Sequence, residues 1–427
     1  MKRTIGRCFI TTIIIFSFIN SSHATLLKSS STDYDVWSSE IRGHVENYFN
    51  PHKDQFLSTI MGVCALEWPW KKKYGVYRDR DFQDRDLADR IPVTQVFSYK
   101  QKLKVDPKFH SDNSLVTDNE MKRVQVAPLV IFLPGMFNEL DDNQNRRFML
   151  SLSKRGHHVA TLPNPLSTDY ITAKPNYKPG EFLREARTLY RAIKRIVLSY
   201  KMRGILKDDQ VQILGVSYGS LLSAIITVLD ANDANILTAG TTLISPPLNF
   251  RKALQRLDTY IDETSDSFAG MFWTGKLYKF LRVCFSSGFE RRDEWAKGMT
   301  IYSGFQEYLV NSIKVWRKIN DIKEDLPYQN PDWEKTFKFE HYLDWYAPEV
   351  KSMLDLPEAE LQHWVNQARD LGKPVRILAA VDDWLNSPEE WEDFYQDQVI
   401  ILPNGGHYGF RKLQWFEKFL TLAFPTL

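Results

Sequence analysis

Residues 211–229 read VQILGVSYGSLLSAIITVL, an apolar strand-like run that passes through a serine between two glycines into an apolar helix-like run. Gly215 and Gly219 leave the space that a sharp strand-to-helix turn requires beside Ser217. A serine on such a turn is held exposed above a sheet, and the helix that follows directs its amide end toward it. The stretch therefore predicts Ser217 as a nucleophile, whereas G-x-S-x-G alone also fits a turn serine that caps a helix.

Apolar runs of strand length, bounded by turn residues, recur along the chain and alternate with helical patterns. This alternation indicates crossover connections and an α/β fold, with a mostly parallel sheet and helices on both faces. The predicted strands are Ile91–Tyr99, Pro128–Leu133, His158–Leu162, Val211–Val216, Thr238–Ile244, Val375–Val381 and Gln398–Leu402. The clearest predicted helices are Asp142–Lys154, Gly180–Met202, Tyr218–Leu229 and Phe410–Leu422.

A general base for the serine is predicted in the run PNGGHYGF, residues 403–410, which follows the last predicted strand. The glycines around His407 let the backbone fold tightly enough to bring the imidazole over the edge of the sheet. A lone loop histidine is often incidental, but this position after the last strand favours a base. His157 and His158 begin a strand and are interpreted as structural.

An acid that orients the histidine is expected at the carboxyl end of the strand Val375–Val381, where Asp382 and Asp383 stand side by side. One carboxylate is expected to face His407 and the other to cap the segment that begins at Pro388. We favour Asp383, the fourth residue of the turn that begins at Ala380, and keep Asp382 as the alternative acid.

Two backbone N–H groups are predicted to bind the developing oxyanion of an acyl-transfer reaction. One belongs to Tyr218, directly after the nucleophile. The other belongs to Met136, in the run FLPGMFN that follows the strand Pro128–Leu133. Gly135 permits close approach of the backbone to a substrate, although the run also fits a plain turn.

The composition argues against several classes of partner and cofactor. The 427 residues include 55 Lys plus Arg and 53 Asp plus Glu, and the two signs are interspersed, so no footprint for nucleic acid is visible. No C-x-x-C or H-E-x-x-H spacing predicts a metal site, and we predict no cofactor. The oligomeric state stays open.

The first 24 residues have the three parts of a secretory signal peptide: a basic start, an apolar run and a small-x-small ending at Ala24. We expect cleavage near Ala24 and a periplasmic or secreted protein. Cys64 and Cys284 then remain, and the sequence leaves open whether they form a disulfide or stay as thiols.

The mature chain divides into an N-terminal extension at 25–90, a first core part at 91–248, a helical cap insertion at 249–371 and a second core part at 372–427. The insertion holds six of the twelve tryptophans, which form either an apolar pocket or the cap's own core. The run WPWKKK at 68–73 is interpreted as a surface loop, with membrane contact as the less favoured alternative.

Together these residues resemble the α/β-hydrolase superfamily, and within it the YheT-like branch of serine hydrolases. The resemblance rests on GVSYG at 215–219, ISPP at 244–247, AVDD at 380–383 and GGHYGF at 405–410. It implies ester hydrolysis by Ser217, Asp383 and His407 without a cofactor, on a small-molecule or lipid ester. The chain departs from the family's pattern at the oxyanion loop, where Pro134 replaces the usual histidine and offers no side-chain donor to brace the loop.

Three functions fit these observations. The first is an esterase or lipase-like hydrolase that acts through an acyl-enzyme. Its substrate could also be a thioester or an amide. The second is a binding protein that retains the fold without turnover. The presence of Pro134 where the family usually has a histidine favours this second function. The third is an acyltransferase, whose catalytic residues would be the same.

Overall fold

The architecture is described from a computed structural model, which covers residues 37–63, 76–82, 85–98, 124–140, 143–262, 294–321 and 337–425. The signal-peptide residues, Cys64, Cys284 and the run at 68–73 lie outside these described residues. The expectations about cleavage, a disulfide and membrane contact therefore stay predictions.

Eight strands in the described part of the chain form one sheet. They are β1 (Val76–Phe82), β2 (Ile91–Val96), β3 (Ala127–Leu133), β4 (His158–Thr161), β5 (Leu206–Val216), β6 (Thr241–Ile244), β7 (Val375–Ala380) and β8 (Val399–Leu402). Their spatial order is β1-β2-β4-β3-β5-β6-β7-β8. The pairings of β2 are antiparallel and those from β4 to β8 are parallel, so the predicted mostly parallel sheet is confirmed.

Twelve α-helices are found in the described residues. They are α1 (Ser39–Val45), α2 (Gln55–Val63), α3 (Asn143–Lys154), α4 (Thr168–Ile171), α5 (Phe182–Met202), α6 (Tyr218–Ala231), α7 (Phe250–Asp262), α8 (Glu294–Ile319), α9 (Phe339–Trp345), α10 (Pro348–Met353), α11 (Leu361–Asp370) and α12 (Gln414–Ala423). Short 3-10 turns lie at Pro357–Ala359, Pro388–Trp391 and Gly409–Lys412. No helix of this part is both long and apolar enough to span a bilayer.

The central strand β3 shows how the sequence builds a core on each face of the sheet. Leu129 and Ile131 belong to one apolar cluster, which includes the buried sides of α5 and α6. Val130 and Phe132 belong to a second cluster, which includes those of α3 and α12. Successive strand residues point to opposite faces, so an unbroken apolar run fits a strand covered on both sides.

The N-terminal extension contributes a strand to the sheet that was not among the predicted strands. β1 lies within residues 25–90 and pairs with β2 at the edge. Its sequence, VYRDRDF, carries four charged residues and so lacks the apolar pattern by which the other strands were recognised. Edge strands tolerate such charges, which discourage pairing with other chains.

The long connection from β6 to β7 contains α7 to α11, in agreement with the helical content expected of the insertion. One of these helices differs from a cap element in its position. α11 packs against α6 and β7, as the crossover helix of a β-α-β unit does. Among the described helices of the insertion, α7 to α10 thus remain as candidates for a cap.

Candidate active site

Ser217 lies on the turn between β5 and α6 in a strained backbone conformation, with φ 53° and ψ −125°. A non-glycine residue in such a region costs about 1–3 kcal/mol, which the surrounding structure must offset. A Cβ atom on Gly215 would lie 2.5 Å from the Gly219 carbonyl oxygen, and one on Gly219 would collide with the Leu133 carbonyl. The two glycines are therefore required by close backbone packing, as the sequence predicted.

The three residues predicted for the triad meet at the carboxyl ends of the strands. His407 Nε2 lies 2.9 Å from Ser217 Oγ, and His407 Nδ1 lies 3.0 Å from Asp383 Oδ2. A carboxylate can only accept, so Nδ1 carries the hydrogen and Nε2 is free to accept the hydroxyl proton of the serine. The Asp383 side chain is 1% exposed and that of His407 9%, so their hydrogen bond is largely shielded from water.

The strand positions of the three residues decide the fold. In a sheet of order 1-2-4-3-5-6-7-8, the serine follows β5, the aspartate follows β7 and the histidine follows β8. This arrangement, with the chain order Ser, Asp, His, distinguishes one known architecture from the other triad scaffolds. The chain has an α/β-hydrolase fold.

Of the two adjacent aspartates in this hydrolase fold, Asp383 contacts the histidine. Asp382 instead accepts a hydrogen bond from the Gly406 N–H at 2.8 Å, one residue before His407. Burial raises the pKa of Asp382 from 3.8 to about 6. The expectation that the second aspartate caps the segment at Pro388 is wrong, because Ser387 caps it in a capping box with Glu390.

The predicted oxyanion loop packs directly against the nucleophile. A Cβ atom on Gly135 would lie 3.2 Å from Ser217 Cβ, and Met136 follows at the turn. The Asn138 N–H donates to the Gly135 carbonyl at 3.2 Å, and Phe137 adopts φ 63°. As the first residue of α6, Tyr218 has a backbone N–H with no acceptor within the helix. Met136 and Tyr218 thus supply the two candidate donors.

Asn164 braces the predicted oxyanion loop through the carbonyl of Pro134. Its Nδ2 donates to the Pro134 carbonyl at 3.1 Å, and its Oδ1 accepts from the Leu166 N–H at 2.9 Å. The sequence motifs do not predict a role for Asn164. The available signal was its place in LPNP, just after β4, the strand beside β3 in the sheet.

A buried carboxyl stands behind the nucleophile turn. Glu185 on α5 accepts a hydrogen bond from the Tyr218 hydroxyl at 2.5 Å and one from the Gly180 N–H at 2.6 Å. Burial raises the pKa of Glu185 to about 7, and the Tyr218 hydrogen bond opposes this shift. The Tyr218 ring also stacks on Phe250 at 4.7 Å between centroids. The residue after the nucleophile therefore connects α5 to the first helix of the insertion.

Aromatic side chains connect the loops of the site to the insertion. Trp384, next to Asp383, lies edge-on to the His407 ring at 5.4 Å between centroids and contacts Phe305 of α8 at 6.2 Å. Phe137 of the oxyanion loop contacts Phe305 at 6.3 Å and Phe339 of α9 at 6.3 Å. The surroundings of the triad on this side are thus apolar.

Among the described residues no group of three or more His, Cys, Asp or Glu side chains is arranged to hold a metal ion.

Comparisons with solved structures return distant likenesses to two esterases and a thioesterase domain. Brefeldin A esterase, a bacterial homologue of human hormone-sensitive lipase, is 12% identical with a TM-score of 0.40, and 90% of each chain is covered. An esterase of the fungus Rhizomucor miehei is 12% identical with a TM-score of 0.40, over 91% of this chain and 94% of that one.

A thioesterase domain from the curacin biosynthetic pathway is 14% identical with a TM-score of 0.37, over 80% of this chain and 96% of that one. No protein-family model matches the chain, and no curated protein matches it significantly. Such distant likenesses carry no information about the substrate. The resemblance to the YheT-like branch stays a prediction from the sequence motifs.

Proposed function

We propose that this chain is an exported serine hydrolase that cleaves a carboxylic ester with a lipophilic acyl group through an acyl-enzyme on Ser217. The observation that carries the proposal is the continuous set of contacts from Ser217 Oγ through His407 to Asp383, at 2.9 and 3.0 Å. A hydroxyl, an imidazole and a buried carboxylate in this geometry are what nucleophilic acyl transfer requires.

In the proposed reaction Ser217 Oγ attacks the ester carbonyl carbon while His407 Nε2 takes the hydroxyl proton. The N–H groups of Met136 and Tyr218 bind the oxyanion of the tetrahedral intermediate. As the intermediate collapses, the C–O bond to the alcohol breaks and His407 returns the proton to the leaving oxygen. Water then attacks the acyl-enzyme with His407 as base, which releases the acid and restores Ser217.

The apolar character of the proposed acyl group is supported by the aromatic contacts around the triad. Phe137, Phe305 and Trp384 form a connected set between the oxyanion loop, α8 and the acid loop. Burying one methylene of a substrate against such a surface contributes about 0.8 kcal/mol, or roughly fourfold in kcat/KM. We therefore expect kcat/KM to rise from acetyl to longer acyl esters.

Covalent labelling with a fluorophosphonate tests the catalytic proposal. We expect the folded wild-type protein to label and Ser217→Ala to remain unlabelled. Thr259→Ala, on an exposed surface of α7, serves as the control and should label as the wild type does. A folded wild-type protein that never labels, or that labels as Ser217→Ala does, would refute the enzyme and favour the binding protein.

A panel of chromogenic esters of increasing chain length tests the substrate class. We expect Phe305→Ala to reduce the advantage of long over short acyl chains, while Phe49→Ala, which removes a largely exposed ring, leaves it unchanged. A preference for acetyl esters in the wild type would contradict a lipophilic acyl pocket. Thioesters and amides in the same panel define the bond that is cleaved, and product analysis with an added alcohol or amine separates hydrolysis from acyl transfer.

Export is the part of the proposal that rests on the sequence alone, through the signal-like residues 1–24. Expression of the full chain in a bacterium, followed by fractionation and N-terminal sequencing, tests it. We expect a mature protein that begins at Thr25 in the periplasm or medium. A cytoplasmic protein with an intact N-terminus would contradict export.

A further inference from the structure

The loop that carries the base is held at three backbone positions by side chains from outside the loop. The Asn404 carbonyl accepts a hydrogen bond from the Tyr48 hydroxyl at 2.8 Å, and the Gly406 N–H donates to Asp382 at 2.8 Å. The His407 N–H donates to Thr59 Oγ1 at 2.8 Å. Two of these three partners, Tyr48 and Thr59, belong to the N-terminal extension.

The Thr59 hydroxyl uses its full hydrogen-bonding capacity at this contact. It accepts from the His407 N–H and from Trp384 Nε1 at 3.2 Å, and it donates to the Gln55 carbonyl at 2.8 Å. A hydroxyl has one hydrogen and two lone pairs, so all three are in use. Because Trp384 follows Asp383 directly, one buried oxygen fixes both the base loop and the acid loop.

Two of the three glycines in the run GGHYG, Gly406 and Gly409, are explained by the same helix, α2. Gly406 has φ +56°, and a Cβ atom there would lie 2.5 Å from Thr59 Oγ1 and collide with the Gln55 carbonyl. A Cβ atom on Gly409 would collide with the backbone of Ser58. The run GGHYG therefore provides a flat backbone surface on which α2 docks, in addition to a tight turn.

Apolar packing joins these polar contacts. The buried Phe56 ring of α2 lies 6.2 Å from the Trp384 ring, which in turn lies 5.4 Å from the His407 imidazole. α2 thus contacts the base through its backbone N–H and through the ring that flanks it. The hydrogen bond to α2 is made by the backbone of His407, whose ring nitrogens remain bonded to Ser217 and Asp383.

We infer that the N-terminal extension is part of the catalytic apparatus, with Thr59 as a positioning residue that holds His407 in register with Ser217 and Asp383. The inference rests on the proposed function, because His407 is the base only in that reaction. Thr59 is not proposed as a reacting group, since the hydrogen bonds of its oxygen go to two backbone groups and the Trp384 indole. Its removal should lower kcat and leave KM nearly unchanged, because misplacing a catalytic group by about 1 Å costs on the order of 100-fold.

The test compares Thr59→Val with Thr59→Ser on the best ester of the panel, in full-length protein. We expect Thr59→Val to lower kcat roughly 10- to 100-fold with KM within about twofold, and Thr59→Ser to stay within about threefold of the wild type. Thr227→Val is the matched control, since it also removes a buried hydroxyl that bonds a helix carbonyl, that of Ser223. Should Thr59→Val fail to fold, Thr59→Ala removes the acceptor without a methyl group facing the two donors.

Hydrogen–deuterium exchange of the peptide at 403–410 provides a readout that needs no activity. We expect faster exchange at the His407 amide in Thr59→Val than in the wild type, Thr59→Ser or Thr227→Val. Unchanged exchange, or a folded Thr59→Val with kcat within threefold of the wild type, would overturn the inference. A wild-type protein that exchanges as expected but neither labels nor turns over would refute the proposed function and, with it, a positioning role in catalysis.

Discussion

Ser217 Oγ and His407 Nε2 lie 2.9 Å apart, yet the two residues are held in place by different parts of the chain. The conformation of Ser217 depends on its immediate neighbours, Gly215 and Gly219, and on the ends of β5 and α6 that flank it. The position of His407 depends on side chains remote in sequence, including Thr59, which is 348 residues away.

The difference teaches that the two halves of one site are encoded in different ways. A local arrangement such as the nucleophile turn is specified by a short motif, because steric exclusion acts between neighbours. A loop that is fixed from outside requires partners whose positions only the complete fold determines. We therefore expect substitutions on the two sides to fail in different ways.

The largest effect is expected on the base side, from Asp383→Asn. The amide would donate to His407 Nδ1 and leave the hydrogen on Nε2, where it blocks proton transfer from Ser217. We expect kcat to fall roughly 10⁴-fold with the fold retained, measured by steady-state kinetics and circular dichroism. Asp382→Asn is the matched control, and its kcat should fall much less. The opposite ranking of the two variants would assign the acid to Asp382.

On the nucleophile side, we expect Gly219→Ala to destabilise the folded protein. The new methyl group would meet the Leu133 carbonyl and lie 2.5 Å from the Pro134 carbonyl, both of which are backbone atoms that cannot rotate away. We expect the free energy of unfolding to fall by about 3 kcal/mol, measured by urea denaturation. Gly43→Ala, in α1 with nothing within 4 Å of the new atom, should be neutral or stabilising. Equal stability of Gly219→Ala and the wild type would show that this turn is less tightly packed.

Asp382 gives the base loop a pH dependence that asparagine lacks. Because its pKa is raised from 3.8 to about 6 by burial, the folded protein binds more protons than the unfolded chain between these values. The contribution of Asp382 to stability therefore falls as pH rises through that window. We therefore compare the free energy of unfolding of Asp382→Asn with that of the wild type. The difference, variant minus wild type, should rise by about 2 kcal/mol from pH 4 to pH 7.

Urea denaturation at several pH values measures this difference. Asp233→Asn provides a control of opposite sign, because the Lys194 hydrogen bond lowers the pKa of Asp233. That variant should lose stability relative to the wild type near pH 7 and recover it in acid. A difference between Asp382→Asn and the wild type that does not change with pH would contradict the burial of an ionising carboxyl at the base loop.

The smallest effect is expected from Tyr218→Phe, behind the nucleophile. The Tyr218 hydroxyl stabilises the ionised form of Glu185, whose pKa is about 7, so its loss should raise that pKa further. Tyr218→Phe should therefore lower the free energy of unfolding more above pH 7 than below it. We expect a loss of about 1.5 kcal/mol at pH 9. Denaturation at pH 6 and pH 9 measures it. A penalty that is equal at both values would indicate that Glu185 remains neutral throughout.

The sequence was sufficient for the features that local patterns encode. The alternating strands and helices predicted the parallel sheet, and the motifs around Ser217 and His407 predicted residues that the structure brings together. For Asp382 and Asp383 the sequence left two alternatives, because it cannot show which carboxylate faces the imidazole.

Other features could not be read from the sequence, each for a physical reason. Charged residues in β1 concealed an edge strand, since the apolar alternation used to recognise strands is not required there. Asn164 and Thr59 stand in segments without a catalytic motif, and they act through backbone atoms that any residue provides. Their roles depend on proximity created by folding, which no spacing along the chain records.

The contact between α2 and the base loop also has a consequence for the order of folding. The segment from β3 to β6 includes the nucleophile turn and pairs largely with its own neighbours, so its strand contacts close shorter loops than the contact of Thr59 with His407 does. The base needs a contact of very high sequence separation, which is slow to close because loop entropy must be overcome first. A partly folded chain would then carry a strained but unactivated serine, so that reactivity would be acquired only when the two ends of the protein have come together.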